Sequence, residues 1–258
     1  MEKPLGDMVA VVTGGGRDLG RELALALAVQ GADVAVIGRT VATLERTADD
    51  IRSIGPRSLA VTADLTSEED VVAAFGRIAD HLGPVTVLVN NASAPRMPRP
   101  VAEMLLDEWD TTLATKLTSA MLSSREVLKS MIPLRRGSIV NISGTTGLQG
   151  APFMSSHSVA QAGLLALTQS LALEVGRHQI RVNAVVPSAI EGDSLRQILT
   201  GAADLELSER NPAQDLIDAS PLGRLVQPHE VASVVCFLAS NAASGITGQA
   251  INVLLDQG

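Results

Sequence analysis

Two polar side chains four positions apart, His157 and Gln161, are the first candidates for chemistry in this chain. They fall in a stretch, residues 155–176, that is predicted to form one helix, and residues four apart share a helix face. Histidine suits acid–base work near neutral pH because its ordinary pKa is about 6.5. The pair is consistent either with a proton-handling site or with a partly buried polar residue that has no chemical role.

A glycine-rich turn offers a second kind of chemistry, the binding of phosphate. The segment from Thr13 to Gly20 joins a predicted strand, residues 8–13, to a predicted helix, residues 21–30. Glycines in such a turn let backbone N–H groups and the helix N-terminus approach a pyrophosphate. The predicted cofactor contacts in this turn are Gly14, Gly16, Arg17, Leu19 and Gly20.

Asp18 is the unusual residue of this turn, because a carboxylate is unfavourable close to phosphate. Two interpretations remain open. Asp18 caps the following helix through its side-chain oxygen, which we favour, or it weakens nucleotide binding.

The end of the second predicted strand, residues 33–38, indicates which dinucleotide fits. An NAD-specific turn places an acidic residue here for the ribose 2′-hydroxyl, but this chain has Gly38 followed by Arg39. The guanidinium of Arg39, with Arg17 as a second base, suits a 2′-phosphate. The sequence therefore predicts NADP(H) as the cofactor, unless both arginines are solvated surface charges.

Strand and helix patterns alternate along the whole chain. Short runs rich in valine, isoleucine and leucine predict strands at residues 8–13, 33–38, 58–62, 85–90, 138–142, 181–186 and 250–254. Helices are predicted at residues 21–30, 41–53, 67–81, 107–131, 155–176 and 228–240. The alternation predicts an α/β fold in a single domain, residues 1–258, with a parallel sheet covered on both faces. The longest irregular stretch, residues 188–222, is predicted to be a substrate lid.

Motifs along the chain carry a family resemblance. Besides the glycine turn they include Asp64-Leu65, Asn90-Asn91-Ala92-Ser93, Ile180–Pro187 and Gly223-Arg224-Leu225. With them, the chain from residue 7 to about residue 253 resembles the short-chain dehydrogenase/reductase family. The resemblance implies a Rossmann-type doubly wound sheet of seven parallel strands in the order 3-2-1-4-5-6-7, with the pocket at the strand carboxyl ends. It also implies cofactor contacts from Asp64, Leu65, Asn91, Ala92 and Pro187.

The same resemblance implies an altered catalytic group. Members of the family work through Asn, Ser, Tyr and Lys, and the matching positions here hold Lys116, Gly144, His157 and Gln161; the chain has no tyrosine. Losing the Tyr–Lys couple removes a proton donor worth about 10²–10⁴ in rate. Lys116 and Gln161 nevertheless keep one cation and one amide, exchanged between two helices. We expect both to converge with His157 on one cleft, and Ser143 to lie beside them.

Three further polar side chains are candidates for the pocket. Thr145 lies close to Ser143 in the chain, and Ser155 stands where the helix of residues 155–176 is predicted to start. Arg96 follows the Asn-Asn-Ala-Ser turn. Its guanidinium is either a contact for an anionic substrate or an ordinary loop charge.

Three functions remain open. The first is an NADP(H)-dependent reductase of a small molecule, with His157 as the proton donor or with a substrate so activated that little acid help is needed. The second is an enzyme without net redox chemistry (a cyclase, dehydratase or isomerase) that uses His157 and Lys116. The third is an inactive subunit that assembles with an active relative. The glycine turn favours the first, and the loss of all four catalytic residues favours the other two.

Composition and charge argue against several kinds of partner and location. The net charge of −8 argues against nucleic acid as a partner. The N-terminus lacks an apolar leader and no uninterrupted run of about 18 apolar residues occurs, so no membrane association is expected. A single cysteine, Cys236, excludes an internal disulfide and suits the cytoplasm. No metal is expected. In relatives the helices matching residues 107–131 and 155–176 form the subunit interface, which implies a homodimer or homotetramer.

Overall fold

The computed structural model describes residues 3–93, 98–204 and 212–254, and within them one sheet holds seven parallel strands. The strands are β1 (Val9–Thr13), β2 (Asp33–Gly38), β3 (Ser58–Thr62), β4 (Val87–Asn90), β5 (Gly137–Ile142), β6 (Ile180–Pro187) and β7 (Ala250–Val253). Their order across the sheet is β3-β2-β1-β4-β5-β6-β7, which confirms the expected topology. The central strands are buried along nearly their whole length, and this explains their continuous runs of valine and isoleucine.

Helices cover both faces of this sheet. In chain order they are α1 (Asp18–Val29), α2 (Val41–Ile54), α3 (Glu68–Leu82), α4 (Leu106–Leu113), α5 (Ser119–Leu134), α6 (Ser155–Val175), α7 (Asp193–Asp204), α8 (Pro212–Asp218) and α9 (Pro228–Ala239). One apolar core joins the sheet to α1, α2 and α9, with Leu27 and Val235 fully buried in it. The other joins the opposite face to α3, α5 and α6, around Ile78 and Met131. The sheet therefore has an apolar layer on each side.

The helix predicted at residues 107–131 is interrupted in the structure. Between α4 and α5 lies a π-helical turn, Ala114–Thr118, in which the backbone widens. Ser119 Oγ donates to the carbonyl oxygen of Thr115 at 2.5 Å, and such side-chain bonds to the preceding turn bend helices. π-turns often occur at functional sites, and this one carries Lys116.

The stretch predicted as irregular, residues 188–222, contains α7 and α8; its residues 205–211 lie outside the described residues. The prediction of an irregular connection was therefore wrong for both helical segments. The reason is local: residues 193–204 place leucine and isoleucine at helical spacing, which forms an amphipathic helix. The two helices contribute Leu195, Ile198 and Leu216 to the wall of the cleft described below.

Among the residues that the structure describes, one helix meets the length and composition expected of a membrane span, the segment Ser155–His178 that contains α6. The expectation from apolar runs alone did not single it out. Its buried residues Ala172 and Val175 belong to the core on one face of the sheet, and Leu164 is fully buried as well. Core helices pass the same criterion when they are long and apolar, and α6 has the position of a core helix.

The start of α9 is held by an ion pair. Arg224 donates two hydrogen bonds to the carboxylate of Glu230, at 2.7 and 2.8 Å, and the same carboxylate accepts the backbone N–H of Gln227 at 2.8 Å. The Arg224 hydrogen bond, followed by that from Gln227, lowers the pKa of Glu230 to about 2 from an ordinary value of 4.5. The folded protein therefore favours the ionised carboxylate.

Replacing Glu230 by glutamine tests this pair. A pKa lowered in the folded state gives stability that is present above about pH 4.5 and is lost as the pH falls towards about 2. We expect wild type to exceed Glu230→Gln in unfolding free energy above pH 5 by only a small margin, because water screens an exposed ion pair. Urea titrations from pH 6 to pH 2.5 should show the difference shrinking. A difference that stays constant over this range contradicts the assignment.

Candidate active site

A cleft of about 1250 Å³ opens at the carboxyl edge of the sheet, where the resemblance places the pocket. Each of the first six strands delivers a turn to it, represented by Gly14, Arg39, Asp64, Asn91, Ser143 and Ser188. Every residue predicted to contact the cofactor or to take part in catalysis lines this one cleft. Its location follows from the parallel sheet, because all carboxyl ends of parallel strands meet at one edge.

The glycine turn is packed as a phosphate cradle requires. Gly14 has φ +67°, and a Cβ there would lie 3.1 Å from Cα of Ala92. A Cβ on Gly20 would lie 2.0 Å from the carbonyl oxygen of Gly14, so a side chain would separate α1 from the turn. Arg17 and Leu19 line the cleft beside them. The turn thus brings the N-terminus of α1 to the cleft, which suits a pyrophosphate.

Asp18 does not cap α1, so the capping interpretation is wrong. The N-cap residue is Arg17, and its side chain makes no capping bond. Asp18 is the first helical residue and has φ +47°, a left-handed conformation that favours glycine. Its Oδ2 accepts a hydrogen bond from Ser194 Oγ of α7 at 2.8 Å. The carboxylate therefore links the phosphate cradle to the segment after β6.

The turn after β3 holds a carboxylate near a cation. Asp64 accepts the backbone N–H and the hydroxyl of Thr66 at 2.9 and 2.7 Å. These bonds, with a smaller contribution from the charge of Arg39, lower the pKa of Asp64. Arg39 and Asp64 therefore belong to one corner of the cleft, and Leu65 lines it as well.

Thr13 fastens the turn after β4 to the glycine turn. Its hydroxyl accepts the backbone N–H groups of Asn91 and Ala92 at 2.9 and 3.1 Å. The amide of Asn91 donates to the carbonyl oxygen of Thr13 at 3.0 Å. Asn91 and Ala92 therefore have a structural role in addition to the cofactor contact predicted for them. Pro187, the last residue of β6, also lines the cleft.

His157 and Gln161 are buried in the cleft wall and touch each other. Each is 4% exposed, and Gln161 Nε2 lies 3.0 Å from His157 Nε2. Gln161 Oε1 is buried and has no hydrogen-bond partner within the described residues. The predicted i, i+4 neighbours therefore form one polar unit on α6.

Two glycines make room for this unit. A Cβ on Gly147 would lie 2.7 Å from Gln161 Cβ, so only glycine lets the turn approach α6 this closely. A Cβ on Gly144 would lie 3.3 Å from Gln161 Nε2. The loop after β5 therefore sets the space in which the Gln161 amide lies.

Lys116 is buried rather than a surface cation. It is 4% exposed and lines the same cleft as His157. The π-helical turn that carries it packs against α6. Lys116, His157 and Gln161 therefore line one cleft, and their convergence on a single substrate stays a prediction.

Ser143 joins strand to helix. Its hydroxyl donates to the carbonyl oxygen of Gln161 at 3.2 Å, which ties the end of β5 to α6. Ser143 therefore positions Gln161, besides lining the cleft.

The structure places the other three residues predicted for the pocket differently. Thr145 lines the cleft, as expected. Ser155 is the first residue of α6 and is not among the residues that line the cleft. Arg96 lies outside the described residues.

Several threonines of the cleft were not predicted from the sequence, and three of them lie close to Lys116 or Gly147 in the chain. Thr111 and Thr115 lie on the elements around Lys116, and Thr146 Oγ1 is buried without a partner within the described residues. Their closeness in the chain to Lys116 and Gly147 was the sequence feature that could have identified these threonines.

Known proteins of similar sequence and structure match nearly the whole of this chain. The family model described as enoyl-(acyl carrier protein) reductase matches residues 15–258. The 3-oxoacyl-(acyl-carrier-protein) reductase FabG of Pseudomonas aeruginosa is 36% identical over 245 residues, 95% of either chain. A variant of actinorhodin polyketide ketoreductase solved with NADPH has a TM-score of 0.90 and 34% identity, covering 95% of each chain. NAD⁺-bound xylitol dehydrogenase has a TM-score of 0.94 and 28% identity, covering 98% of this chain and 99% of its own.

Gly147→Ala tests how the site is positioned. The added Cβ would meet the backbone and Cβ of Gln161, so we expect a loss of about 1–3 kcal/mol of unfolding free energy. Gly150→Ala is the matched control, because a Cβ at Gly150 meets nothing within 4 Å. Urea unfolding of both variants is the measurement. Equal stabilities of the two variants would show that the close approach of this turn is not required.

Proposed function

Because the chain belongs to the short-chain dehydrogenase/reductase family, we propose that it is an atypical NADP(H)-binding reductase of a small molecule. It works without the Asn-Ser-Tyr-Lys group of its relatives. The observation that carries the proposal is the burial of Lys116, His157 and Gln161 in the cleft that the glycine turn also lines. Titratable side chains buried in a cleft are more typical of a functional site than of a decayed one.

The cofactor has a set of residues that fits it. Gly14 and Gly20 form the close cradle at the start of α1, where the pyrophosphate would bind. Arg17 and Arg39 are cations available to a 2′-phosphate, and Gly38 leaves no acidic side chain in that turn. Of the two similar structures described above, one was solved with NADPH and one with NAD⁺, so the preference for NADP(H) depends on these arginines. When bound, NADPH supplies a hydride.

The protein supplies orientation and a proton. In the proposed site His157 and Lys116 are the groups able to hold or donate a proton, and Ser143 holds the helix that carries Gln161. The walls near them include Phe153, Met154 and residues of α7, which suits a largely apolar small molecule. We propose that α7 and α8, the described helices of the predicted lid at residues 188–222, cover the substrate.

A second candidate, an enzyme without net redox chemistry, is favoured by one specific observation. The carboxylate of Asp18 lies in the phosphate cradle, where it would repel a pyrophosphate. In that case Lys116 and His157 would serve a cyclase, dehydratase or isomerase. An inactive partner subunit is disfavoured by the burial of Lys116 at the cleft.

We propose that the chain assembles as a homodimer or homotetramer through α5 and α6. Apolar side chains on these helices are exposed in the single chain, among them Met121, Val159 and Leu173. Light scattering at micromolar concentration tests this, and a monomer would refute it.

Calorimetric titration with NADPH and NADH tests the cofactor assignment. We expect wild type to prefer NADPH, and Arg39→Asp to weaken NADPH binding by about 10- to 100-fold, since it removes a charged hydrogen bond to the 2′-phosphate. Arg46→Asp, on the exposed face of α2, is the control with the same charge change. Absence of NADPH binding at millimolar concentration would remove the proposal in favour of the non-redox enzyme.

Asp18 variants test the cost of the carboxylate. Asp18→Gly removes the charge and suits the left-handed backbone, and Asp18→Asn removes the charge with the shape kept. We expect both to tighten NADPH binding by about tenfold, because like-charge repulsion is removed. Ser194→Ala, which breaks the same hydrogen bond but keeps the charge, should not tighten it. Unchanged affinity in all three variants would place the carboxylate outside the phosphate site.

His157→Ala and Lys116→Ala test the catalytic group. We expect each to lower NADPH oxidation with a reducible substrate by at least about tenfold, the effect of removing a proton-handling group. A β-ketothioester is the first probe, because similar reductases are named for 3-oxoacyl substrates. Lys129→Ala, on the partly exposed face of α5, is the control for lysine removal. Full activity in both site variants would mean that the cleft works without them.

A further inference from the structure

The hydrogen bond between Gln161 and His157 carries information about the proton on the imidazole. The 3.0 Å contact joins the amide nitrogen of Gln161 to Nε2 of His157. In this orientation of the amide its nitrogen donates and cannot accept, so Nε2 is the acceptor in the bond. A neutral imidazole that accepts at Nε2 has its proton on Nδ1.

The surroundings of the amide favour this orientation over the reversed one. Gln161 Oε1 lies in a position shielded from solvent where no described residue is its hydrogen-bond partner. The present orientation leaves one N–H group and the carbonyl oxygen of the amide without a partner among the described residues, whereas reversal would leave both N–H groups without one. Buried N–H groups without a partner are rarer than carbonyl oxygens without one, so the present orientation is favoured.

The positive charge of Lys116 also favours a neutral imidazole over a charged one. Lys116 lies in the same cleft on the π-helical turn packed against α6, and a second positive charge close to it is disfavoured. The remaining charged side chains of the cleft wall belong to the glycine turn, the ends of β2 and β3, the segment after β6 and α8: Arg17, Asp18, Arg39, Asp64, Glu191 and Asp215. None of them lies on α6 or on the loop after β5, the two elements that hold the Gln161 amide.

We propose that Gln161 is a positioning residue that holds His157 as a neutral imidazole with its proton on Nδ1. His157 then acts by donating a hydrogen bond, because giving up the only proton of a neutral ring would leave an imidazolate. This refines the proposed function, on which its catalytic meaning rests: the proton for the product oxygen comes from Lys116. As the C=O pair moves onto oxygen, an O–H bond forms and an Nζ–H bond of Lys116 breaks. Bound NADPH would supply the hydride for the new C–H bond, and the resulting amine of Lys116 regains a proton from water.

Gly144 leaves space for the hydrogen bond between Gln161 and His157. A side chain at this position would start 3.3 Å from Gln161 Nε2 and would crowd the amide that contacts His157. The glycine and the glutamine therefore form a matched pair, in which the missing side chain leaves space for the amide.

Nitrogen NMR on protein labelled with ¹⁵N-histidine tests the proposal without cofactor or substrate. The chain has four histidines, and comparison with His157→Gln identifies the signal of His157. We expect wild type at pH 7 to show a protonated Nδ1 and a bare Nε2. A protonated Nε2, or an imidazolium, would overturn the proposal.

Gln161→Glu provides the opposing variant. Its carboxylate cannot donate to Nε2, so we expect His157 to become protonated at Nε2. Gln149→Glu is the control, because Gln149 lies on the exposed loop after β5, and it should leave the signal of His157 unchanged. If Gln161→Glu does not fold, the wild-type spectrum still decides. The tautomer is measured independently of NADPH binding, so a protein that shows the expected tautomer but binds no NADPH refutes the proposed function alone.

Discussion

The buried hydrogen bonds between the ends of β4 and β5 are the constraint on which the cleft depends. Asn90 donates to Asn141 Oδ1 at 2.9 Å, and Asn141 donates to Thr168 Oγ1 of α6 at 2.8 Å. Asn141 is fully buried, so a lost partner would leave a polar group unpaired in the core. This chain of bonds fixes α6 relative to the sheet edge, and with it the depth at which His157 and Gln161 meet the cleft.

Burying Lys116 has a cost that ordinary packing does not require. An ammonium group loses hydration when it is buried, so a lysine at 4% exposure needs compensation or a function. The π-helical turn that carries it is a further departure from regular structure, since the pattern around it continues as helix on both sides. A buried cation on a π-helical turn is typical of functional sites, and this supports the proposal that Lys116 belongs to the active site.

The fold and the location of the site could be predicted from the sequence, but the finer geometry could not. Strand order followed from the alternation of apolar runs and helices together with the family motifs, and the helical spacing placed His157 beside Gln161. The π-helical turn was not predictable, because its residues also suit a regular helix. Asp18 was assigned to a cap, since sequence patterns do not reveal that its backbone is left-handed and that its partner is Ser194, 176 residues away.

The site residues form a set in which each depends on the others. A tyrosine and a lysine at positions 157 and 161, with a serine at 144, would recreate the family pattern only in part. The new ammonium would share the cleft with the buried Lys116, and each cation disfavours the other. Under the proposed function, Lys116 on the π-helical turn supplies the cation of the site, and the amide of Gln161 contacts the imidazole of His157.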